Sequence, residues 1–166
     1  MTQGGIFIAF GANLPSHAGE PRQTIAAAFR VLVDAGIHME RTSKLYRTPA
    51  WPDPAQPPFL NAVARVRSRF PPGPLMKLLH ETETAFGRTR SARNAPRTLD
   101  LDLIDFEGRV QEGPPTLPHP RMAARAFVLV PLAEIAPNWH HPADGRSVAA
   151  LIAALPPPGA VGVEPI

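Results

Sequence analysis

The segment from Arg97 to Phe106, RTLDLDLIDF, constrains the fold most, because apolar and acidic residues alternate from Leu99 to Leu103. Alternation with a period of two is typical of a β-strand whose two faces differ. The apolar face would carry Leu99, Leu101 and Leu103. Asp100 and Asp102 would share the opposite face, with Cα atoms roughly 6.5–7 Å apart. Like charges this close repel each other, so the pattern predicts that something positive lies beside them.

The composition favours a soluble protein of one domain. A chain of 166 residues is long enough to bury a core of its own, and no apolar run reaches the ~18 residues needed to cross a bilayer. The first residues, MTQGGIFIAFGAN, lack the basic start and the length of a signal peptide, so we expect a cytoplasmic protein. The absence of cysteine excludes disulfides, thiolate catalysis and cysteine zinc sites.

The positive charges are almost all arginine. The formal net charge is +3, and only Lys44 and Lys77 are lysines among the 17 basic residues. The twelve residues before the paired acids, 88–99, contain Arg88, Arg90, Arg93 and Arg97. Guanidinium groups bind phosphate in a planar, bidentate way and stay charged. The placement of the arginines is therefore more informative than the total charge.

The order of the predicted elements indicates an α+β fold. They are strand Gly5–Phe10, helix Pro21–Ala35, strand Ile37–Thr48, strand Phe59–Phe70, helix Pro74–Phe86 and strand Arg97–Phe106. This βαββαβ order is typical of a ferredoxin-like sheet with helices on one face. The segments Leu117–Pro137, with a break near Pro131, and Ser147–Leu155 predict a C-terminal helical extension. The proline-rich loop Pro49–Pro58 is long for a compact domain, and such loops are often functional.

Asp100 and Asp102 are candidate ligands for one or two hard cations. Mg²⁺ prefers one or two protein carboxylates and completes its shell with water and substrate phosphates. Together with the arginines, the two acids predict a polyphosphate site, and a solvated charged strand and loop is the alternative interpretation. No Gly-Lys dipeptide occurs in the chain, so a Walker-type phosphate loop is excluded.

Two further groups are weaker candidates. Phe59 and Asn61 would share a strand face, where a ring beside an amide suits a flat heteroaromatic ligand. Core packing is the alternative interpretation of that pair. His119 lies in the proline-rich turn LPHPR, with Arg121 and Arg125 after it, and a packed or capping histidine is the alternative there.

The stretch GRTRSARNAPRTLDLDLIDFEG resembles the signature region of the 6-hydroxymethyl-7,8-dihydropterin pyrophosphokinases, the HPPK family of folate biosynthesis. Three other stretches are similar to the same family and occur in its order: FGANL, LYRTPAW with FLNAVA, and LPHPRMAARAFVLVPLAEIAP. The resemblance spans Gly5 to Pro137. It implies a ferredoxin-like fold and a single domain of this family over residues 1–166. It also implies a magnesium-dependent transfer of diphosphate from ATP to the hydroxymethyl group of a reduced pterin, with release of AMP.

The resemblance also assigns roles by matching position. The metal ligands for two Mg²⁺ ions would be Asp100 and Asp102. The catalytic arginines, which would grip phosphates or line a closing loop, would be Arg88, Arg90 and Arg97. The nucleotide-binding residues would be His119, Arg125, Thr116 and Glu83. The pterin pocket would comprise Thr48, Pro49, Trp51, Phe59, Asn61 and Phe127. ATP and the pterin would be the only partners of a monomer, with no nucleic acid and no membrane.

Two alternatives from other classes remain open. An RNA recognition module shares the βαββαβ order and a positive charge, but such sheets present aromatic residues on inner strands for base stacking. Here Asp100 and Asp102 would stand on an inner strand and repel phosphates. Another two-metal nucleotidyl transferase or cyclase of the same topology would differ by not depending on a pterin.

Overall fold

The computed structural model describes residues 4–50, 53–88 and 97–166. The strands are β1 (Ile6–Ala12), β2 (His38–Thr42), β3 (Tyr46–Thr48), β4 (Phe59–Arg67), β5 (Asp100–Phe106) and β6 (Glu164–Pro165). The helices are α1 (Pro21–Asp34), α2 (Pro72–Ala85), α3 (Ala126–Ile135) and α4 (Val148–Ala153), with a 3₁₀ turn at Met122–Ala124 before α3. None of the helices within these ranges is long and apolar enough to cross a bilayer.

The strands pair in the order β5-β1-β4-β3-β6, and β2 also pairs with β4. All of these pairings are antiparallel. An antiparallel sheet combined with helices confirms the mixed helix and sheet architecture predicted from the sequence. The prediction that Asp100 and Asp102 stand on an inner strand is wrong. The chain returns through α2 to place β5 beside β1, at the end of the strand order, so the inner strands are β1, β4 and β3.

Apolar residues cover both faces of β1, as its uninterrupted apolar run predicts. Ile6, Ile8 and Phe10 face α1 and α2 in one buried cluster, and Phe7 belongs to a second cluster formed with α3 and α4. The second cluster includes Trp139, which is 1% exposed. The helical extension therefore packs on the face of the sheet opposite to α1 and α2.

Two predicted elements differ from the structure. The predicted strand Ile37–Thr48 is divided into β2 and β3. The Ser43 amide still donates to the Val63 carbonyl of β4 at 2.9 Å, and the chain leaves this ladder at Lys44. The Lys44 amide donates instead to the Glu134 carboxylate on α3, at 3.1 and 3.2 Å. The expected helix break near Pro131 is also wrong, since Pro131 lies inside α3 and the irregularity comes earlier, at Arg125. An interior proline costs about 3 kcal/mol, and the burial of α3 against the sheet offsets that cost.

A β-bulge changes the facing of residues near the end of β5. Phe7 pairs with Asp105 and Ile8 with Leu103, so Ile104 is an extra residue in this strand. Ile104 joins the cluster under α3, and Asp105 accepts a hydrogen bond from Trp139 Nε1 at 2.9 Å. Burial raises the pKa of Asp105. This third acid of the strand is thus part of the packing, separate from Asp100 and Asp102.

Candidate active site

Asp100 and Asp102 lie on one face of β5 and the leucines on the other, as the alternation predicts. Leu99, Leu101 and Leu103 are buried in the cluster with α1 and α2. The side chains of Asp100 and Asp102 are 18% and 26% exposed. Both carboxylates therefore remain within reach of solvent and of a ligand.

Asp100 is neutralised by two arginines of the predicted phosphate-binding set. Arg88 Nη1 donates to Asp100 Oδ1, and Arg97 Nη1 donates to Asp100 Oδ2 at 2.9 Å. Arg88 and Arg97 flank residues 89–96 in the sequence, so arginines from both sides of that segment meet at one carboxylate. The positive charge that the sequence demands beside the paired acids is supplied here by the protein itself.

Asp102 has its own partners, an arginine and a histidine from the region before α3. Arg125 Nη1 donates to Asp102 Oδ2 at 3.2 Å, and His119 Nε2 lies 3.7 Å from Asp102 Oδ1. The His119 ring is oriented by the Arg121 amide, which donates to Nδ1 at 3.2 Å. Burial raises the pKa of Asp102, but His119 and Arg125 outweigh that effect and hold the pKa below its ordinary value. Asp102 is therefore ionised near neutral pH.

Glu83 is the buried acid beneath this cluster, at 3% exposure. Its Oε2 accepts hydrogen bonds from Arg88 Nη1 at 2.7 Å and from the Leu101 amide at 2.8 Å. Burial raises the pKa of Glu83 to about 7, against the lowering effect of these two donors. Glu83 thus fixes Arg88 and the start of β5 from the α2 side. These contacts place it beneath the acids, as a support for Arg88.

A row of residues across the sheet connects the acids with the predicted pterin pocket. Gly11 of β1 pairs with Asp100 on one side and with Asn61 on the other. A Cβ at Gly11 would stand 3.0 Å from Asn61 Oδ1 and 4.0 Å from Asp100 Cβ. Because glycine stands at this position, the space between the carboxylate of β5 and the amide of β4 stays open. Sequence reasoning missed Gly11, although it belongs to the FGANL stretch.

Four of the pterin candidates lie on β3, β4 and α3. Asn61 Nδ2 donates to Thr48 Oγ1 at 2.8 Å, and both side chains are buried. Phe59 pairs with Thr48 across the ladder and is half-buried. Phe127, at the start of α3, packs on the cluster under that helix, and the Arg125 guanidinium lies 5.5 Å from its ring centroid. Arg125 therefore contacts both the acid side and the aromatic side of the site.

The other predicted site residues make none of the contacts described above or lie outside the described residues. Pro49 follows β3 and is exposed. Thr116 is exposed too, and its Oγ1 accepts a hydrogen bond from the Gly113 amide at 3.1 Å. Trp51 and Arg90 lie outside the described residues.

Asn13 ties together the loops around the site, another role that sequence reasoning missed. Its Oδ1 accepts from the Arg97 amide at 2.8 Å, and its Nδ2 donates to the Pro57 carbonyl at 3.0 Å. Asn13 is 2% exposed. One buried amide therefore joins Arg97, just before β5, to Pro57, just before β4.

The donor chemistry of the two acids fits magnesium. Within residues 4–50, 53–88 and 97–166, no group of three or more His, Cys, Asp or Glu side chains forms a ready metal cage. Mg²⁺ needs no such cage, because one or two carboxylates suffice when water and phosphates supply the other ligands. Asp100 and Asp102 offer two carboxylates on one strand face, surrounded by cations able to bind phosphate.

Comparison with known proteins identifies the family. A family model described as 7,8-dihydro-6-hydroxymethylpterin-pyrophosphokinase (HPPK) matches residues 7–137. The chain belongs to the HPPK family. This confirms the resemblance that the sequence motifs indicated.

Curated members of the HPPK family cover most of the chain. A 2-amino-4-hydroxy-6-hydroxymethyldihydropteridine pyrophosphokinase from Synechocystis sp. is 40% identical over 149 residues, which is 89% of this chain and 74% of the relative. The enzyme of the same name from Methylorubrum extorquens is 39% identical over 154 residues, covering 92% and 96%. That from Pseudomonas aeruginosa is 39% identical over 157 residues, covering 91% of each.

Solved structures show a similar fold. The wild-type HPPK-DHPS of Plasmodium falciparum has a TM-score of 0.66 at 11% sequence identity, over 95% of this chain. This chain spans about half the length of that protein, 46%. At this identity the likeness shows the fold alone, and the family assignment rests on the sequence matches.

Proposed function

We propose that this chain transfers diphosphate from ATP to the hydroxymethyl group of 6-hydroxymethyl-7,8-dihydropterin, releasing AMP, in folate biosynthesis. The observation that carries the proposal is the row Asp100, Gly11 and Asn61 on three paired strands of an HPPK-family chain. A carboxylate with cationic neighbours lies at one end of the row, and a buried amide lies at the other. A nucleotide phosphate and a flat polar ring could therefore meet over the glycine between them.

Asp100 and Asp102 would hold two Mg²⁺ ions together with the ATP phosphates. Mg²⁺, when bound, neutralises phosphate charge and stabilises AMP as the leaving group. Because Arg88 and Arg97 share the oxygens of Asp100, we expect their guanidinium groups to pass to the phosphates when the nucleotide binds. Arg90 completes the set by its place in the motif. The chain then acts by positioning and by charge neutralisation, which phosphoryl transfer generally demands.

The nucleotide would contact the side of the site where His119 and Arg125 stand beside Asp102. Arg125 keeps a fixed charge there, and the ring of His119 is held by the Arg121 amide. Thr116 and Glu83 belong to the same predicted set. For Glu83 the contacts support an indirect role, since it fixes Arg88 from beneath.

The pterin would lie at the neutral end of the row. Phe59 and Phe127 would stack on the two faces of the ring, and Asn61 would bond its polar edge, oriented by Thr48. Pro49 and Trp51 would complete the wall after β3. With the ring held this way, its hydroxymethyl group points toward the phosphates and attacks the β-phosphorus.

The proposal extends to the fold class, the number of domains, the oligomeric state and the cellular location. We assign the fold to the ferredoxin-like class, with β2 and β3 together as its second strand, and residues 1–166 to a single domain. We further propose a monomer that works in the cytoplasm, where ATP is available. The RNA-binding alternative is disfavoured, because α3 and α4 cover the sheet face that carries Phe7, Val63 and Ile104.

The decisive experiment incubates the protein with Mg²⁺, ATP and 6-hydroxymethyl-7,8-dihydropterin, and separates the nucleotides afterward. We expect one AMP for each pterin consumed, no ADP, and little AMP without the pterin, because water must be kept from the β-phosphorus. ADP that accumulates in step with pterin consumption would contradict a diphosphate transfer. AMP formation that does not depend on the pterin would favour a different nucleotidyl transferase.

A further inference from the structure

The edge of the sheet at β3 is completed by the end of the chain. β3 has only three residues, and it pairs with β4 on one side. On its other side Tyr46 and Arg47 pair with Pro165 and Glu164 of β6, and the Ile166 amide donates to the Leu45 carbonyl at 3.0 Å. β3 is thus held between β4 and a strand that lies more than a hundred residues later in the sequence.

The residues before β6 also contact the loop that follows β3. We refer to residues 156–166 as the tail. Its turns are closed by backbone hydrogen bonds, such as the one that the Val163 amide donates to the Ala160 carbonyl at 3.2 Å. Gly162 has a φ of +91°, and a Cβ built there would lie 3.5 Å from Pro49 Cδ. The glycine therefore lets the tail turn closely against Pro49 in a backbone conformation that L side chains rarely adopt.

The two contacts of the tail flank Thr48. Tyr46 and Arg47 precede it on β3, and Pro49 follows it directly. Thr48 accepts the hydrogen bond that orients the Asn61 amide. A shift of β3 away from β4 would move Thr48 Oγ1 relative to Asn61, and this geometry decides whether the amide meets a ligand edge correctly.

We infer that the tail is a positioning segment for the pterin side of the site, in that β6 and Gly162 hold Thr48 and Pro49 against β4. This inference rests on the proposed function. A tail that merely covers an open sheet edge would protect β3 from other strands, and its removal would leave both ATP and pterin binding unchanged. A positioning role affects the pterin selectively, because Asp100 and its arginines lie on the far side of β1 and β4.

The test removes residues 163–166 from the full chain and measures steady-state kinetics. We expect the pterin KM to rise about fivefold or more, roughly the effect of losing one net hydrogen bond. The Kd of a fluorescent ATP analogue and kcat at saturating pterin should stay within about twofold. Hydrogen exchange at the amides of Tyr46–Thr48 should become faster, and this reports on the pairing of β6 with β3 independently of any activity.

A pair of glycine substitutions supplies the matched control. Both substitutions strain the backbone, because Gly162 and Gly159 have φ values of +91° and +63°. Only at Gly162 would the added Cβ lie in van der Waals contact with Pro49, at 3.5 Å, since nothing lies within 4 Å of a Cβ at Gly159. We expect Gly162→Ala to raise the pterin KM and Gly159→Ala to leave it unchanged.

Each other outcome overturns the inference in a distinguishable way. Faster exchange at β3 with an unchanged pterin KM would show that the tail only protects the edge. Equal losses of ATP and pterin affinity, or equal effects of the two glycine variants, would indicate general destabilisation. A wild-type chain that releases no AMP with the pterin would contradict the proposed function, and with it a role for the tail in that function.

Discussion

The two ends of the candidate site are built on opposite principles. At the β5 end, part-exposed carboxylates are neutralised by the long side chains of Arg88, Arg97 and Arg125. At the β3–β4 end, Thr48 and Asn61 are uncharged, buried and bonded directly to each other. Charges on long side chains can exchange partners when an ion or a phosphate binds, whereas a buried neutral pair keeps one geometry. Under the proposed function, the comparison predicts that the phosphate side would adapt to its ligand and that the pterin side would be formed in advance.

The largest effect is expected from the acids of β5. Asp100→Ala and Asp102→Ala should each lower turnover at least about tenfold, because under the proposed function each removes a carboxylate that would hold Mg²⁺. Removing Asp100 also leaves Arg88 and Arg97 facing each other, so we expect no gain in thermal stability from relief of repulsion. Turnover assays with circular dichroism spectra of the folded variants test both statements. A variant retaining more than a tenth of the wild-type rate would remove that acid from the metal site.

The arginines should come next, with an effect on rate that exceeds the effect on pterin affinity. Arg97→Ala removes a charge needed most when phosphate charge moves, and we expect kcat to fall about tenfold with little change in pterin Kd. Arg97→Lys should restore only part of the rate, since lysine lacks the bidentate fork. Arg109→Ala removes the same charge near Phe106, at the other end of β5, and serves as the control. Parallel losses of rate and pterin affinity in Arg97→Ala would indicate a folding defect instead.

The neutral end should respond with the opposite pattern. Thr48→Val keeps the shape of the side chain but leaves Asn61 Nδ2 without its acceptor, so the pterin KM should rise several-fold, about the effect of one lost hydrogen bond. The affinity for ATP should not change. Thr42→Val, at an exposed threonine of β2 on the same sheet, is the matched control. If Thr48→Val weakens ATP binding as much as pterin binding, the two ends are not independent.

The smallest effect concerns the ionisation of Tyr46, the only tyrosine in the chain. Burial, and then the hydrogen bond to Glu134 and its charge, raise the pKa of Tyr46 from 10.0 to about 12. Because the folded-state pKa lies above that of the unfolded chain, the neutral phenol contributes stability that is lost as the pH rises through this interval. Glu134→Gln should lower the pKa without returning it to 10.0, because burial remains.

Ultraviolet titration of tyrosinate measures this directly, because no other tyrosine contributes to the signal. Glu134 also accepts from the Lys44 amide at the break between β2 and β3, so the titration reports how firmly α3 fixes the start of β3. A wild-type midpoint at the ordinary tyrosine value would show that this contact does not form in solution.

Local sequence patterns were sufficient for much of the fold. The alternation of leucine and aspartate placed Asp100 and Asp102 on one face of a strand, and the apolar run of β1 indicated burial on both sides. Both patterns depend only on the period of the strand and on which side chains water excludes. The proline at the start of α1 and the glycine after its end predicted the bounds of this helix to within one residue.

Contacts between distant segments decided the rest. Asp105 is an aspartate of the same strand as Asp100 and Asp102, and only the bulge and the contact with Trp139 make it part of the packing. The division between β2 and β3 depends on Glu134 of α3, and the pairing of β6 with β3 depends on the path of the whole chain. The sequence by itself therefore determined which side chains face together along one strand. The tertiary structure determined which strands meet, because hydrogen bonds between residues far apart in the chain leave no periodic pattern in the sequence.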